Sequence, residues 1–313
     1  MIKVRNLTKY YGNFAAVRGI SFEVSQGSIY GFVGPNGAGK TTSLRIMATL
    51  MAPTSGEVEI GGVPVSQNLR YTRKLLGYMP DFFGVYDDLR VNEYLEFYGE
   101  VSGRTIADVR RDIPGLLELV GLADKTNSYV NNLSRGMKQR LCLARSLVHR
   151  PEVLLLDEPA SGLDPRARVE FRNILKELQR MGKTIIISSH ILAELAQLCT
   201  HVGIINQGNL PLSGPVHEVL ARVQGDVVIE IAVADRLEEA RLWLLEQHGV
   251  REAAVTNSGI LEAVFRGDRE AQARLLREMA NNFTLFSFSP SSGNLEQLFM
   301  EITEVNGNAD AKN

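Results

Sequence analysis

The chain has 313 residues, 44% of them hydrophobic, which suits about two domains with packed cores and excludes a disordered protein. Lys and Arg (34) nearly balance Asp and Glu (36), for a formal net charge of −2, and no long block of one sign occurs. Charge thus gives no reason to expect nucleic acid or an anionic membrane surface as a partner. The pair Arg110-Arg111 reads as a solvated helix face. Cys142 and Cys199 sit in apolar helical patterns without CxxC or Cys-His spacing, which fits buried, reduced thiols and implies no metal site. Residues Met1 to Asn6 lack the apolar region of a signal peptide, and no apolar run approaches the 18 or so residues that span a bilayer. Any membrane role is expected to come from another chain.

In chain order, Ile2 to Tyr11 and Ile20 to Val24 read as short strands divided by Gly12-Asn13, more like an antiparallel β subdomain than a βαβ unit. The apolar run Ile29 to Val33 predicts a buried strand, and Leu44 to Leu50 has the pattern of a helix face. Between them lie Gly34, Pro35, Asn36, Gly37, Ala38, Gly39, Lys40, Thr41 and Thr42. Glycines let successive N–H groups turn inward on an anion, and the helix that starts at the lysine directs its positive end to the same place. Lys40 supplies a point charge for the β and γ phosphates, and Thr41 a hydroxyl for Mg²⁺. This segment is a cradle for a nucleoside triphosphate.

After it, Glu57 to Ile60, Leu76 to Met79, Val153 to Leu156, Thr184 to Ile187 and Val202 to Ile205 are strand-like runs alternating with helical patterns, which predicts an α/β sheet covered by helices. Glu93 to Leu122 reads as a helical subdomain interrupted at Pro114-Gly115. Turn-forming residues gather from Gly208 to Gly225, so a first domain of residues 1–222 is expected. Beyond it the order is strand (Val227 to Val233), helix (Arg236 to Gln247), two strands (Val250 to Val255, Ile260 to Phe265), helix (Arg269 to Ala280) and strand (Phe283 to Phe288). That βαββαβ order predicts a small ferredoxin-like α+β domain over 223–305. A last helix, Leu295 to Ile302, is expected within it, and the polar residues 306–313 read as a disordered tail.

The strand Val153 to Leu156 ends in Asp157 and Glu158. Parallel strands bind ligands beyond their C-terminal ends, so these acids should emerge beside the phosphate loop. Asp157 suits Mg²⁺, and Glu158 can polarise a water for attack on the γ-phosphorus. Alone, the pair would read as solvated acids at a strand end; the loop changes that balance. His190 ends a second apolar strand at the same edge, where an imidazole can touch the γ-phosphate and the acid. Ser134 precedes a helical pattern with Met137, Leu141, Ala144 and Val148 on one face and reads as its N-cap.

Taken in order, GPNGAGKT (34–41), LSRGM (133–137), VLLLDEP (153–159), SGLD (161–164) and His190 resemble the ATP-binding subunits of ABC transporters over roughly residues 1–215. The resemblance implies a P-loop ATPase core with antiparallel β and helical subdomains, and a head-to-tail dimer with two shared ATP sites. In it Ser134 and Gly136 would cap the γ-phosphate bound by the other copy, Ser161 to Asp164 would couple the two sites, with Asp164 at the nucleotide, and Tyr11 would cover the purine. The sequence departs from the family pattern at two places. Asp81 stands where a glutamine is usual and adds a negative charge beside the triphosphate and its metal, while Arg135 and Met137 replace a glycine and a glutamine. Phe82, Phe83, Val85 and Tyr86 follow Asp81, either as core of the helical subdomain or as a docking groove for a membrane subunit's helix.

The resemblance therefore implies an ATPase that powers a separate permease, as an exporter, from the cytoplasmic face of the membrane, with a second copy of itself as the simplest dimer partner. The compact spacing from Lys40 to Asp157 leaves no room for the coiled coil of chromosome-type ABC ATPases, and a single cassette argues against tandem-cassette translation factors. A soluble ATP-gated switch acting on a regulatory partner is the alternative reading.

Overall fold

The computed structural model describes residues 1–290 apart from Phe83, Val85, 224–226, Asn257 and Ser258. The expected helix Leu295 to Ile302 and tail 306–313 lie outside the described residues. The chain divides into two compact units, Met1–Val216 and His217–Asn313.

In the first unit, β1 (Ile2–Tyr11) and β2 (Phe14–Val24) form an antiparallel hairpin. After β3 (Ile29–Val33) and α1 (Lys40–Met47) come β4 (Ser55–Ile60) and β5 (Val63–Pro64). β4 pairs antiparallel with β1, Ile2 opposite Ile60, giving a four-stranded sheet of order β2-β1-β4-β5. This corrects the expectation that Glu57 to Ile60 joins the α/β alternation. Its inward residues Val58 and Ile60 are buried while its first three residues are exposed, the one-sided pattern of an antiparallel strand with a wet face.

Next come α2 (Leu69–Leu75), β6 (Leu76–Met79), α3 (Val91–Val101), α4 (Ile106–Leu119), α5 (Arg135–Leu147), β7 (Val153–Leu156), α6 (Pro165–Arg180), β8 (Thr184–Ser189), α7 (Leu192–Ala196), β9 (His201–Asn206) and β10 (Asn209–Pro215), after which α8 (Val216–Val223) leads into the second unit. Six strands form a second sheet of order β10-β9-β3-β8-β7-β6. All its neighbours run parallel except β10, which runs antiparallel to β9. Every residue of β3, β7 and β8 is buried, as helices on both faces of a parallel sheet require.

The helical part does not break at Pro114, which lies inside α4. The interruption falls earlier, at Ser102–Thr105, where Gly103 takes φ +87° and Thr105 accepts a hydrogen bond from Asp108 N–H as the next N-cap. Pro114 removes one helical donor, and the carbonyl it leaves belongs to the exposed Arg110. Val109, Ile113 and Leu117 keep α4 seated on its buried face.

In the second unit, β11 (Val227–Val233), α9 (Leu237–Leu245), β12 (Val250–Val255), β13 (Leu261–Phe265), α10 (Arg269–Asn282) and β14 (Leu285–Pro290) follow the expected βαββαβ order. The sheet order β12-β13-β11-β14, antiparallel throughout, is ferredoxin-like. Ile229, Ile231, Leu261, Ala263 and Phe265 pack with Ala240, Leu244, Leu275 and Met279 in its core.

α3 and α4 cross at Gly99, where a Cβ would lie 2.4 Å from Val109 Cγ2. Gly99→Ala should therefore destabilise the chain by about 1–3 kcal/mol in urea unfolding, and Val109→Ala in the same chain should recover much of the loss.

Candidate functional site

Gly34 to Lys40 joins β3 to α1. A Cβ on Gly34 would lie 2.3 Å from Ile205 O, and one on Gly39 2.5 Å from Ala16 O, so the loop is pressed against its neighbours and admits only glycine there. Asn36 and Gly37 are exposed, Ala38 is buried, and Thr41 and Thr42 stand in the first turn of α1, Thr41 half-buried or deeper. Lys40 is 5% exposed and donates to Gly34 O at 2.5 Å and Pro35 O at 3.1 Å. The first N–H groups of a helix have no partner within it, so the loop and the α1 N-terminus offer donors and positive potential to an anion.

The strand ends bring acids to the same place. Thr41 Oγ1 donates to Asp157 Oδ1 at 3.1 Å, and Ser188 Oγ donates to the same oxygen at 2.8 Å. Ser188 Oγ in turn accepts Glu158 N–H at 2.9 Å, which joins the ends of β7 and β8. Burial pushes the Asp157 carboxyl pKa up, against the two hydroxyl donors that lower it, and the negative charges of Asp81 and Glu158 add to the rise. Its second oxygen, Oδ2, is buried and accepts no hydrogen bond.

Glu158 lies between two cationic or protonatable groups. Its Oε1 is 3.2 Å from Lys40 Nζ, an ion pair whose angles fall outside hydrogen-bond geometry, and its Oε2 is 3.0 Å from His190 Nδ1. The residue holds φ +47°, an unfavourable conformation for a non-glycine that costs about 1–3 kcal/mol and persists only where its surroundings hold it. Lys40, Thr41, Asp157, Glu158 and His190 are therefore one cluster. Asp81 is exposed just beyond β6, close enough to bear on Asp157 by charge.

Ser134 and Gly136 belong to a second cluster. Ser134 Oγ accepts Met137 N–H at 3.4 Å as the N-cap of α5, and Asp164 Oδ1 accepts Ala167 N–H at 2.9 Å as the N-cap of α6. The two N-termini line one cavity of about 380 Å³. The structure does not bring these residues to the phosphate loop of their own chain: the loop borders a separate cavity of about 430 Å³.

Tyr11 stands at the end of β1, its hydroxyl 3.0 Å from Met51 Sδ and its ring 5.6 Å from Lys9 Nζ. The aromatic residue that lines the cavity beside Asn36, Gly37 and Ala38 is Phe14, which is 62% exposed. Sequence reasoning missed Phe14 and Ser188. An aromatic residue at a strand start and a serine at the end of a mostly apolar strand were their only signals. Of the segment after Asp81, Phe83 and Val85 lie outside the described residues, while Phe82 is 89% and Tyr86 54% exposed, so neither of these two is core.

The ABC transporter family model matches residues 17–161. The bacitracin transport ATP-binding protein BcrA of Bacillus licheniformis is 36% identical over 304 residues, 96% of this chain and 97% of that one. The chain belongs to the ABC transporter family. The linearmycin resistance ATP-binding protein LnrL of Bacillus subtilis (strain 168) is 30% identical over 305 residues, 97% of this chain and 98% of its own. A dimeric post-hydrolysis state of the ATP-binding cassette MJ0796 with ADP and Pi aligns with TM-score 0.63 and 25% identity, over 69% of this chain and 99% of that one. The chain is thus an ATP-binding, ATP-hydrolysing subunit of an ABC transporter. Among the described residues no helix is long and apolar enough to cross a membrane.

A buried carboxylate with a raised pKa weakens the fold in its ionised form, because the folded state holds the proton more tightly than the unfolded one. That penalty is present above the folded pKa and lifts as the pH falls through it. Asp157→Asn should raise the melting temperature of the nucleotide-free subunit at neutral pH by about 2–4 °C, flatten this pH dependence, and abolish ATP turnover.

Proposed function

We propose that this subunit hydrolyses ATP with Glu158 as general base and that the cycle drives a separate membrane permease as an exporter. The carrying observation is the Glu158 carboxylate, set between Lys40 and His190 at the edge where the phosphate loop lies. A water beside the γ-phosphate loses its proton to Glu158 as its oxygen bonds to phosphorus, and the bond to the β-phosphate oxygen breaks with its electron pair leaving on ADP. Lys40 exchanges its loop carbonyls for phosphate oxygens, and His190 orients Glu158 and contacts the γ-phosphate.

The unpartnered Asp157 Oδ2 and the adjacent Thr41 hydroxyl fit a divalent cation, Mg²⁺, with Asp81 able to hold one of its waters. That ion neutralises charge on the β and γ phosphates when bound. Phe14 supplies aromatic surface for the adenine at the rim of the loop cavity, and the exposed ring of Tyr11 at the end of β1 a second face. Ser134, Gly136 and Asp164 act on the nucleotide of a second copy, in line with their separation from the loop of their own chain, so two subunits close head to tail around two ATP molecules.

The resistance and transport roles in the relatives' names support export, with the subunit at the cytoplasmic face of the membrane through its permease. The exposed Phe82 and Tyr86, beside Asp87 and Asp88, offer that partner an apolar surface with an acidic rim.

Glu158→Gln should keep ATP binding, accumulate as an ATP-bound dimer and lower kcat at least about 100-fold; unchanged turnover would remove Glu158 from the role of base. Phe82→Asp should leave basal hydrolysis intact yet abolish co-purification of a polytopic protein with the tagged subunit from detergent-solubilised membranes. Recovery of soluble partners alone from the unaltered subunit would favour a switch that transports nothing.

A further inference from the structure

The turn from Ser161 to Asp164 is held by side chains from two helices. Its Ser161 carbonyl accepts from Arg135 Nη2 at 3.2 Å and from Gln139 Nε2 at 3.1 Å, both on α5. The Arg135 guanidinium lies against Gly162, where a Cβ would meet Cζ and Nη2 at 2.4 Å, and Gly162 takes φ +69°. At the other end of the turn, Arg168 of α6 donates from Nε to Leu163 O at 3.0 Å and from Nη1 to Glu194 Oε1 at 2.5 Å. Glu194 is in the first turn of α7, which begins two residues after His190.

We propose that Arg168 is a positioning residue that links the Ser161–Asp164 turn to the segment carrying His190, and so sets the imidazole against Glu158. This rests on the reading that Glu158 and His190 act in hydrolysis. One planar fork spans both acceptors, a carbonyl in the turn and a carboxylate on the helix that follows the histidine; an ammonium has no fixed fork to do so. With α5 gripping Ser161, the signature helix and the His190 segment are tied to opposite ends of a single turn. Arg135, which departs from the family pattern, belongs to that tie: its charge is directed at its own chain's turn.

The test is steady-state hydrolysis by the full-length subunit, with turnover normalised to nucleotide-binding sites. Arg168→Ala should lower kcat roughly three- to thirtyfold with KM for ATP changed by less than about twofold, since the phosphate loop is untouched. Glu194→Ala should act alike, and the double variant should be no slower than the slower single variant. Arg168→Lys should fail to rescue. A purely structural residue would lower the melting temperature and the number of binding sites without this split. Wild-type kcat in Arg168→Ala, multiplicative losses in the double variant, or full rescue by lysine would each overturn the proposal. If Arg168→Ala does not fold, Glu194→Ala and Arg168→Lys carry the same test. Glu158→Gln separates the two readings: if it stays inactive while Arg168→Ala turns over normally, only the link fails, and if it remains active the catalytic assignment fails first.

Discussion

The parallel register of three buried strands brings together the residues around the phosphate loop of the first unit. Gly31 of β3 stands level with Ile187 of β8, and Ile187 with Leu156 of β7, so the three chains leave the sheet at nearly one height. The segments that leave these strands are then forced together: the phosphate loop after Val33, the two acids after Leu156 and the histidine after Ser189. A shift of one residue in β7 would turn its side chains to the opposite face and carry Asp157 away from Thr41. Ser188 locks the level directly, because its hydroxyl reaches Asp157 and its oxygen receives the Glu158 N–H.

That arrangement concentrates charge where water is scarce. Lys40 is 5% exposed and Glu158 12%, and a buried ion pair returns little net stability because both partners lose hydration. Removing one partner strands the other, at about 3–5 kcal/mol. The site therefore holds its charges in tension: loop carbonyls and Glu158 share the ammonium, Asp157 keeps an oxygen without a donor, and Glu158 sits in a strained backbone conformation. On the proposed function, a triphosphate with a divalent counter-ion would satisfy the ammonium and the orphaned carboxylate oxygen at once.

Much of this was legible from residues alone. Apolar runs ending in Asp157-Glu158 and in His190 read as buried parallel strands because they are short and rich in aliphatic residues, with β-branched Thr184 to Ile187 in the second, and the glycine spacing of the loop has few other uses. Glu57 to Ile60 was misplaced because a short run does not state which neighbour it pairs with; its partner, β1, lies far earlier in the chain. Pro114 misled because a proline's cost is local, whereas burial of Val109, Ile113 and Leu117 acts along the whole of α4. Ser188 and Arg168 carry little signal as site residues in the sequence, since each gains its meaning from contacts made across the fold, and Phe14 gains its own from the cavity that it lines.

The second departure from the family pattern shows how such contacts reshape a motif. A glycine at position 135 would leave the α5 N-terminus bare, whereas Arg135 covers Gly162 and donates to Ser161 O. Gly162 takes φ +69°, a left-handed backbone that favours glycine, and a side chain there would also push the flexible guanidinium off the turn. Ser134 and Gly136, the parts of the motif that present an oxygen and a close backbone approach, are unchanged, and the helix they open still presents its N–H groups toward the cavity shared with Asp164. The substitution thus leaves Ser134 and Gly136 in place at the start of α5 and adds a hydrogen bond from that helix to the turn behind it, so LSRGM keeps its capped helix start while gaining a tie within its own chain.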